Sequence, residues 1–459
     1  MTEGRLHVLI GGGGLGGLAL AHLLLQQEPN PPRVTVFERD EAFGSRNQVC
    51  LYAPQGNDTA KNLCEQGIVI GLRQEGCAVL ESIAVMTPKL PDMFSNPAKV
   101  ATPRDLVIMS ATGRVLLRAR GMLGLSLNHG KEHRGSLVDR SILRNALASN
   151  LPEGVIRWNA KVTGYEHVAG KVVAILDNGD RVEGDVLVGC DGARSQIRVQ
   201  RAPMLTPAEL GVWNLAGAYT VDAEIEATLQ HFALYRAACT GLTRMSAASG
   251  FSMMSFVYTP PDGRARTLLW SLSFPTKDKP ASHDALIARL LSEFPGVGVD
   301  VVVGLTPEES RGLLEYEIFS VLPETLKANG AAAIFGLDAD SLVTLLGDAA
   351  HKTTTQAGLG ATAAFEDAQD LAHALAGVKP GAAHVGPVLR AYEARMLKRA
   401  QTVVSMSVGN TRFMHTKRGP FKHAMINGVA YTVGCLFALV QGPGIGLKLL
   451  RKVFAGGSK

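Results

Sequence analysis

Six of the seven residues from Gly11 to Gly17 are glycine, and this run most narrows what the chain can fold into. It follows an apolar stretch, Leu6 to Ile10, which reads as a buried parallel strand. It precedes "LALAHLLLQQ", rich in helix formers, which ends at Pro29, Pro31 and Pro32. "RVTVFERD" then reads as a second strand closing on Glu38. A glycine run between a strand and a helix, inside a βαβ unit, is a turn and not a flexible linker.

Gly12, Gly14 and Gly17 fit the spacing G-x-G-x-x-G. Gly12 permits the tight turn, Gly14 lets a pyrophosphate approach the backbone, and Gly17 lets the helix pack close to the strand. The phosphates then meet exposed N–H groups at a helix N-terminus. Glu38 stands 21 residues past Gly17, where a carboxylate reaches ribose hydroxyls. The unit therefore predicts a dinucleotide site.

Two later stretches place an acid at the carboxyl end of a strand, where open α/β sheets bind ligands. In "GDVLVGCDGARSQIR", Val186 to Val188 reads as a buried strand stopped by Asp191-Gly192. The preceding "KVVAILDNGDRVEG" reads as a hairpin turning at Asn178-Gly179. In "VTLLGDAAHKTTTQAGLGATAAFEDAQDLAHAL", Val343 to Leu346 is strand-like, Gly347-Asp348 ends it, and Gly358-Leu359-Gly360 precedes a long helix. Either aspartate alone reads equally as a turn residue or helix cap.

Taken together and in this order, the three motifs resemble those of the single-component (group A) flavin monooxygenases that share the para-hydroxybenzoate hydroxylase fold. The resemblance runs over about residues 5 to 400, and the texture of the chain is similar to fungal secondary-metabolite members. It implies an α/β (α+β overall) architecture: a Rossmann-like FAD-binding domain, an interleaved antiparallel-sheet substrate domain and C-terminal helices. The expected division is an FAD-binding domain at 1–200, with substrate-domain segments near 75–130. A substrate domain follows at 201–330, then FAD-binding residues at 331–385 with the Gly-Asp motif, then a helical region at 386–459 with an apolar tail.

The resemblance also assigns the dinucleotide as tightly bound, non-covalent FAD. Glu38 takes the adenosine ribose, and Arg39 lies toward the adenine or solvent. Arg46 and Gln48, in "FGSRNQV", match an R-x-Q segment that contacts FAD. Arg140, in "SLVDRSILRNAL", matches an arginine on the isoalloxazine or ribityl side; Arg144 falls on the same helix face, and Arg140 is preferred. Asp191 is linked to FAD and NAD(P)H, and Asp348 to the ribityl chain. Gly358, Leu359 and Gly360 open a helix toward the flavin pyrimidine edge, where a helix N-terminus stabilises negative charge.

The implied activity is oxygenation with NAD(P)H as cosubstrate and O2. Oxygen adds at the flavin C4a carbon, and the distal oxygen of the hydroperoxide passes to an apolar, aromatic or polycyclic small molecule. Hydroxylation leads; epoxidation, Baeyer–Villiger insertion, halogenation and a non-catalytic membrane-tethered flavoprotein are the alternatives. Halogenases of this fold carry a W-x-W stretch, whereas this chain has only Trp158, Trp213 and Trp270. No catalytic side chain is assigned beyond the loop at Thr355. The family pattern H-P-x-x-P-x-x-G here reads His351-Lys352-Thr353-Thr354-Thr355-Gln356-Ala357-Gly358, without either proline. Thr355 stands where a proline would lie against the flavin, which predicts a more polar and less rigid loop. His351 is expected to be structural.

Residues 201–330 lack a βαβ rhythm. "FSMMSFVYTPPDGRARTLLWSLSF" alternates like two strands, and Met253, Met254, Tyr258 and Trp270 offer apolar surface of which about half would face a pocket. Composition excludes other classes. A net charge of +5 on 459 residues, with no dense basic stripe, does not suit nucleic acid. Six cysteines without a CxxC pair read as reduced thiols of an intracellular protein with no metal site. The N-terminus does not read as a secretory signal. Ala424 to Leu447 holds no charged residue and is long enough to span or line a membrane, but contains five glycines and Pro443, and related chains end in packed helices. The expected location is cytoplasmic, or peripheral to an intracellular membrane.

Overall fold

The computed structural model describes residues 5–42, 69–85, 105–119, 136–258, 266–306, 314–336 and 341–440. The glycine run does connect a strand, His7–Gly11, to a helix, Leu15–Leu25. That strand is the middle of a five-stranded parallel sheet. Arg33–Phe37 and then Ile156–Arg157 lie on one side; Val186–Gly189 and then Val343–Leu345 lie on the other. Every residue of Val186–Gly189 and Val343–Leu345 is buried, as expected for parallel strands covered on both faces.

Helix Leu15–Leu25 is apolar all round because it has no free face. It packs on the sheet and against Gly360–Leu375, Arg140–Ser149 and Gln74–Val85. The first core joins Leu9, Ile10, Leu20, Leu187 and Val343 to Phe365, Leu371 and Tyr392. Tyr392 belongs to a 34-residue helix, Ala382–His415, behind the sheet. The predicted hairpin is present as Lys171–Leu176 and Arg181–Gly184, completed by Val162–Val168.

The second sheet has seven strands and its own core around Phe251, Met253, Trp270, Phe274 and Phe294. It is mixed, a correction to the antiparallel expectation: Gly241–Ser246 pairs in parallel with Asp105–Met109. These two strands come from distant parts of the chain, so no tight hairpin dictates their direction. Of the stretch near 75–130, Gln74–Val85 places Cys77, Val79, Leu80 and Ile83 in the first core, whereas Asp105–Met109 and Val115–Ala119 join the second sheet. Ser252–Tyr258 and Thr267–Pro275 pair antiparallel as the alternation predicts, and the turn between them lies outside the described residues.

Pro420–Val440 forms a final helix lying against Val115–Ala119. Among the described residues no helix is long and apolar enough to cross a membrane. Residues 441–447 lie outside the described residues.

The indole of Trp270 covers Gly217, where a Cβ would stand 2.5 Å from the ring. Gly217→Ala should therefore overpack the second core and cost about 1–3 kcal/mol, read as a lower melting temperature.

Candidate functional site: a cleft between the two sheets

The carboxyl ends of the parallel strands form the floor of a cleft of about 880 Å³, and the second sheet forms its roof. The three glycines of the turn have distinct environments. A Cβ on Gly12, whose φ is +115°, would stand 2.4 Å from the Cys190 carbonyl oxygen. A Cβ on Gly17 would stand 2.2 Å from the Gly12 carbonyl oxygen. Those two positions are glycine because the protein itself fills the space. At Gly14 a Cβ would meet nothing within 4 Å. Gly14 lines the cleft, so the room there suits a ligand approaching the backbone at the helix N-terminus.

Glu38 is buried beneath the turn. The Gly13 N–H donates to its Oε2 at 2.9 Å, and the Asp40 N–H donates to its Oε1 at 3.1 Å. Arg144 ties the cluster together. Its Nη2 is 3.1 Å from both Glu38 and Asp40 carboxylates, and its Nε donates to the Gly13 carbonyl at 2.9 Å. Burial and the Glu38 charge push the Asp40 carboxyl up, against the pull of Arg144.

Arg140, one turn earlier on the same helix, lines the cleft and forms no ion pair or hydrogen bond among the described residues. Burial and the neighbouring Arg144 charge pull its guanidinium down to about 10, opposed by Asp348, Glu38 and Asp40. The two arginines thus divide their work. Arg144 holds the turn, and Arg140 faces the cleft as an unpaired cation. Sequence reasoning passed over Arg144; its only signal was the four-residue spacing from Arg140.

Asp191 lines the cleft and also starts a helix, accepting from the Gln196 N–H at 2.8 Å through Oδ2. Its Oδ1 is buried without a hydrogen-bond partner. Burial raises the carboxyl above its ordinary value, against the pull of those hydrogen bonds. Asp348, Gly358, Leu359 and Gly360 also line the cleft, with Asp348 3.5 Å from the Lys352 ammonium. The last three precede or open the 16-residue helix Gly360–Leu375. Arg39 is exposed at the cleft rim. Arg46 and Gln48 lie outside the described residues.

His351 does not line the cleft. It is buried, with Nε2 2.5 Å from Asp367 Oδ2. Asp367 also accepts the Gly347 N–H at 3.1 Å and pairs with Arg399 at 3.1 Å. Burial pulls the His351 imidazole down, but the Asp367 carboxylate outweighs it and leaves it raised. Asp367 is pushed up by burial and held below its ordinary value by His351. The pair braces the turn that carries Asp348.

The loop without prolines is polar, as predicted, and is fastened by side chains. The Thr354 N–H donates to Ser407 Oγ at 2.9 Å, and the Thr411 hydroxyl donates to Thr354 Oγ1 at 2.9 Å. Gln356 Nε2 donates to Ser273 Oγ at 2.7 Å, and Arg244 donates to the Gln356 carbonyl at 2.9 Å. The Thr355 hydroxyl lies 3.0 Å from the Tyr316 hydroxyl, joining floor to roof. Hydrogen bonds thus supply restraint that the missing prolines do not.

The roof differs from the floor in charge. Ala216, Leu242, Met254, Phe256, Leu269 and Phe319 line it, and none of its described lining residues is charged. Met254 and Tyr258 face the cleft, whereas Met253 packs in the second core; Trp270 is buried there too and reaches the cleft edge. Among the described residues no group of His, Cys, Asp and Glu could hold a metal.

A family model described as "FAD binding domain" matches residues 339–407, the segment carrying Gly347-Asp348 and the Gly358 turn. The FAD-dependent monooxygenase thnD of Trichoderma harzianum is 27% identical over 417 residues, 88% of this chain and 92% of its own length. The chloroplastic zeaxanthin epoxidase of Solanum lycopersicum is 26% identical over 423 residues, 87% of this chain and 53% of its own. The crystal structure of Klebsiella pneumoniae HpxO complexed with FAD and uric acid shares the fold, with a TM-score of 0.67 at 20% identity over 93% of each chain. Over most of its length the chain is similar to FAD-dependent monooxygenases. In this oxidoreductase the open space at Gly14, the unpaired Arg140 and the orphaned Asp191 Oδ1 all suit an anionic, hydrogen-bonding cofactor.

Three outcomes follow. Arg144→Met should leave Glu38 and Asp40 as uncompensated buried carboxylates, costing about 3–5 kcal/mol and lowering the melting temperature of the apoprotein. Arg140→Met should leave apoprotein melting unchanged and raise the FAD dissociation constant, measured by flavin fluorescence. The His351–Asp367 brace sets a pH window. The raised His351 contributes stability below the ordinary histidine range, lost as pH rises through its folded value. The lowered Asp367 contributes above the ordinary aspartate range, lost as pH falls through its folded value. His351→Gln should therefore lower the melting temperature most between those limits, with the gap closing toward alkaline pH.

Proposed function

We propose that this monooxygenase takes electrons from NAD(P)H and places one atom of O2 on an uncharged, apolar, aromatic or polycyclic small molecule held under the seven-stranded sheet. The observation that carries the reading is the split of the cleft into a charged floor and an uncharged roof. A carboxylated substrate would find no cation among the roof's described lining residues. Lys352, whose ammonium lies 5.7 Å from the Phe319 ring, already faces Asp348 at 3.5 Å, so burying the carboxylate would carry a desolvation cost of several kcal/mol.

FAD, when bound, supplies electron transfer and oxygen activation. This chain's residues supply placement. Gly12, Gly14, Gly17 and the following helix N-terminus receive the pyrophosphate; Glu38 retains free lone pairs for the adenosine ribose, and Arg39 borders the adenine. Arg46 and Gln48, next in sequence, add contacts to the same cofactor. Arg140 offsets its negative charge. Asp348 takes the ribityl chain, Asp191 Oδ1 is free to accept a cofactor hydroxyl, and Gly358-Leu359-Gly360 present N–H groups to the pyrimidine edge. Tyr316 and Thr355 close the cleft and orient a polar group of the substrate, while the apolar roof excludes water.

Hydroxylation is the first reading. Epoxidation is the second, favoured by the likeness to zeaxanthin epoxidase and by a roof whose described lining offers no carboxylate or imidazole to ionise a phenol. The test is an absorbance spectrum of the purified protein, followed by NAD(P)H oxidation against paired neutral and carboxylated aromatic and polyene compounds. Bound flavin and faster oxidation with neutral members are expected. No flavin and no stimulation by any member would overturn the reading, and the product distinguishes ring hydroxylation from epoxide. Tyr316→Phe, which removes the hydroxyl joined to Thr355, should raise the share of NAD(P)H oxidation that ends in hydrogen peroxide.

A further inference from the structure

Helix Pro420–Val440 breaks the usual rule for a surface helix. One side is half-buried, with Ile426, Val429 and Ala430, and the helix lies against Val115–Ala119. The side facing water should then be polar. Instead Phe421, Ala424, Met425, Gly428, Tyr431 and Thr432 are exposed at helical spacing, and none is charged. Phe421 is 84% exposed and Met425 54%, and they stand one turn apart. The only charge on the helix is Lys422.

Along the sequence the charge flanking this stripe is of one sign, although in the fold Lys417 pairs with Asp278 at 3.1 Å. No Asp or Glu follows Glu393, whereas eleven Lys and Arg do. Lys417 and Arg418 precede the helix, and in sequence Lys448, Arg451 and Lys452 follow the uncharged stretch 424–447. A protein partner for such a stripe would need an acidic rim. A bilayer with anionic headgroups offers both features at once: an apolar layer for Phe421 and Met425, and negative charge for the flanking cations.

We propose that helix Pro420–Val440 seats the protein on an anionic lipid surface, lying in the interface with Phe421 and Met425 inserted and Lys422 at headgroup level. The helix docks and does not cross: its packing against Val115–Ala119 and its half-buried Ile426, Val429 and Ala430 keep one side on the protein. An apolar substrate dissolved in that lipid would then be supplied at the surface where the enzyme sits. The docking does not depend on the monooxygenase reading, and its test reads binding, not turnover.

The experiment is co-sedimentation of the full FAD-loaded chain with phosphatidylcholine vesicles, with and without phosphatidylserine. Binding should require phosphatidylserine and weaken as salt rises from about 0.1 M to about 1 M. The double variant Phe421→Ser/Met425→Ser should bind about tenfold or more weakly while keeping its FAD content and melting temperature. Lys422→Glu, which leaves the apolar pair in place, should weaken binding to phosphatidylserine vesicles. Absence of binding, equal binding to both vesicle types, or undiminished binding of the double variant would overturn the proposal. So would a dimer in solution that the double variant dissociates, because the stripe would then be an interface between two copies.

Discussion

The Gly12 carbonyl oxygen occupies the place a Cβ of residue 17 would need. That contact brings the start of helix Leu15–Leu25 hard against the end of strand His7–Gly11. It leaves the first-turn N–H groups pointing into the cleft and not into water. Holding such a turn is a problem of charge as well as shape. Glu38 accepts from Gly13, Arg144 binds Glu38, Asp40 and the Gly13 carbonyl, and helix Arg140–Ser149 is thereby fixed beside the turn. Arg140 acquires its position at the cleft as a consequence of where Arg144 must be.

The second constraint is the junction of the two sheets. The loop from Lys352 to Gly358 follows the last strand of the first sheet and its turn, and is hydrogen-bonded to both the roof and the long helix Ala382–His415. Prolines would stiffen such a loop through its own backbone. Here stiffness is imported from Ser407, Thr411, Ser273, Arg244 and Tyr316, whose hydrogen bonds converge on three consecutive residues. The loop's geometry therefore depends on both sheets being assembled, which couples the roof to the floor. Deeper in, His351 and Asp367 hold the Gly347 turn from behind, a role that keeps a tempting imidazole away from the chemistry.

Much of the floor was legible in the chain because its signals are local. Strand, glycine turn, helix and acidic strand end lie within forty residues, and the Asp191 and Gly347-Asp348 turns sit at the ends of apolar runs. The choice between Arg140 and Arg144 was not legible. Both lie on one helix face, and only the position of Glu38 across the fold shows which one is consumed in an ion cluster. The split role of Asp191, with one oxygen capping a helix and the other free, was equally hidden. Its two oxygens differ only in what surrounds them.

The sequence by itself determined a βαβ phosphate cradle, the order of its three motifs and the alternation that sends Met254 to one face and Met253 to the other. These follow from backbone sterics and side-chain period, which act between near neighbours. Only the tertiary structure decided the mixed direction of the roof, the fastening of the proline-free loop, the uncharged lining above a charged floor and the bare apolar stripe at Phe421 and Met425. Each of these depends on residues far apart in the chain meeting, or failing to be covered. Burial and pairing of that kind exist only once the whole chain has packed.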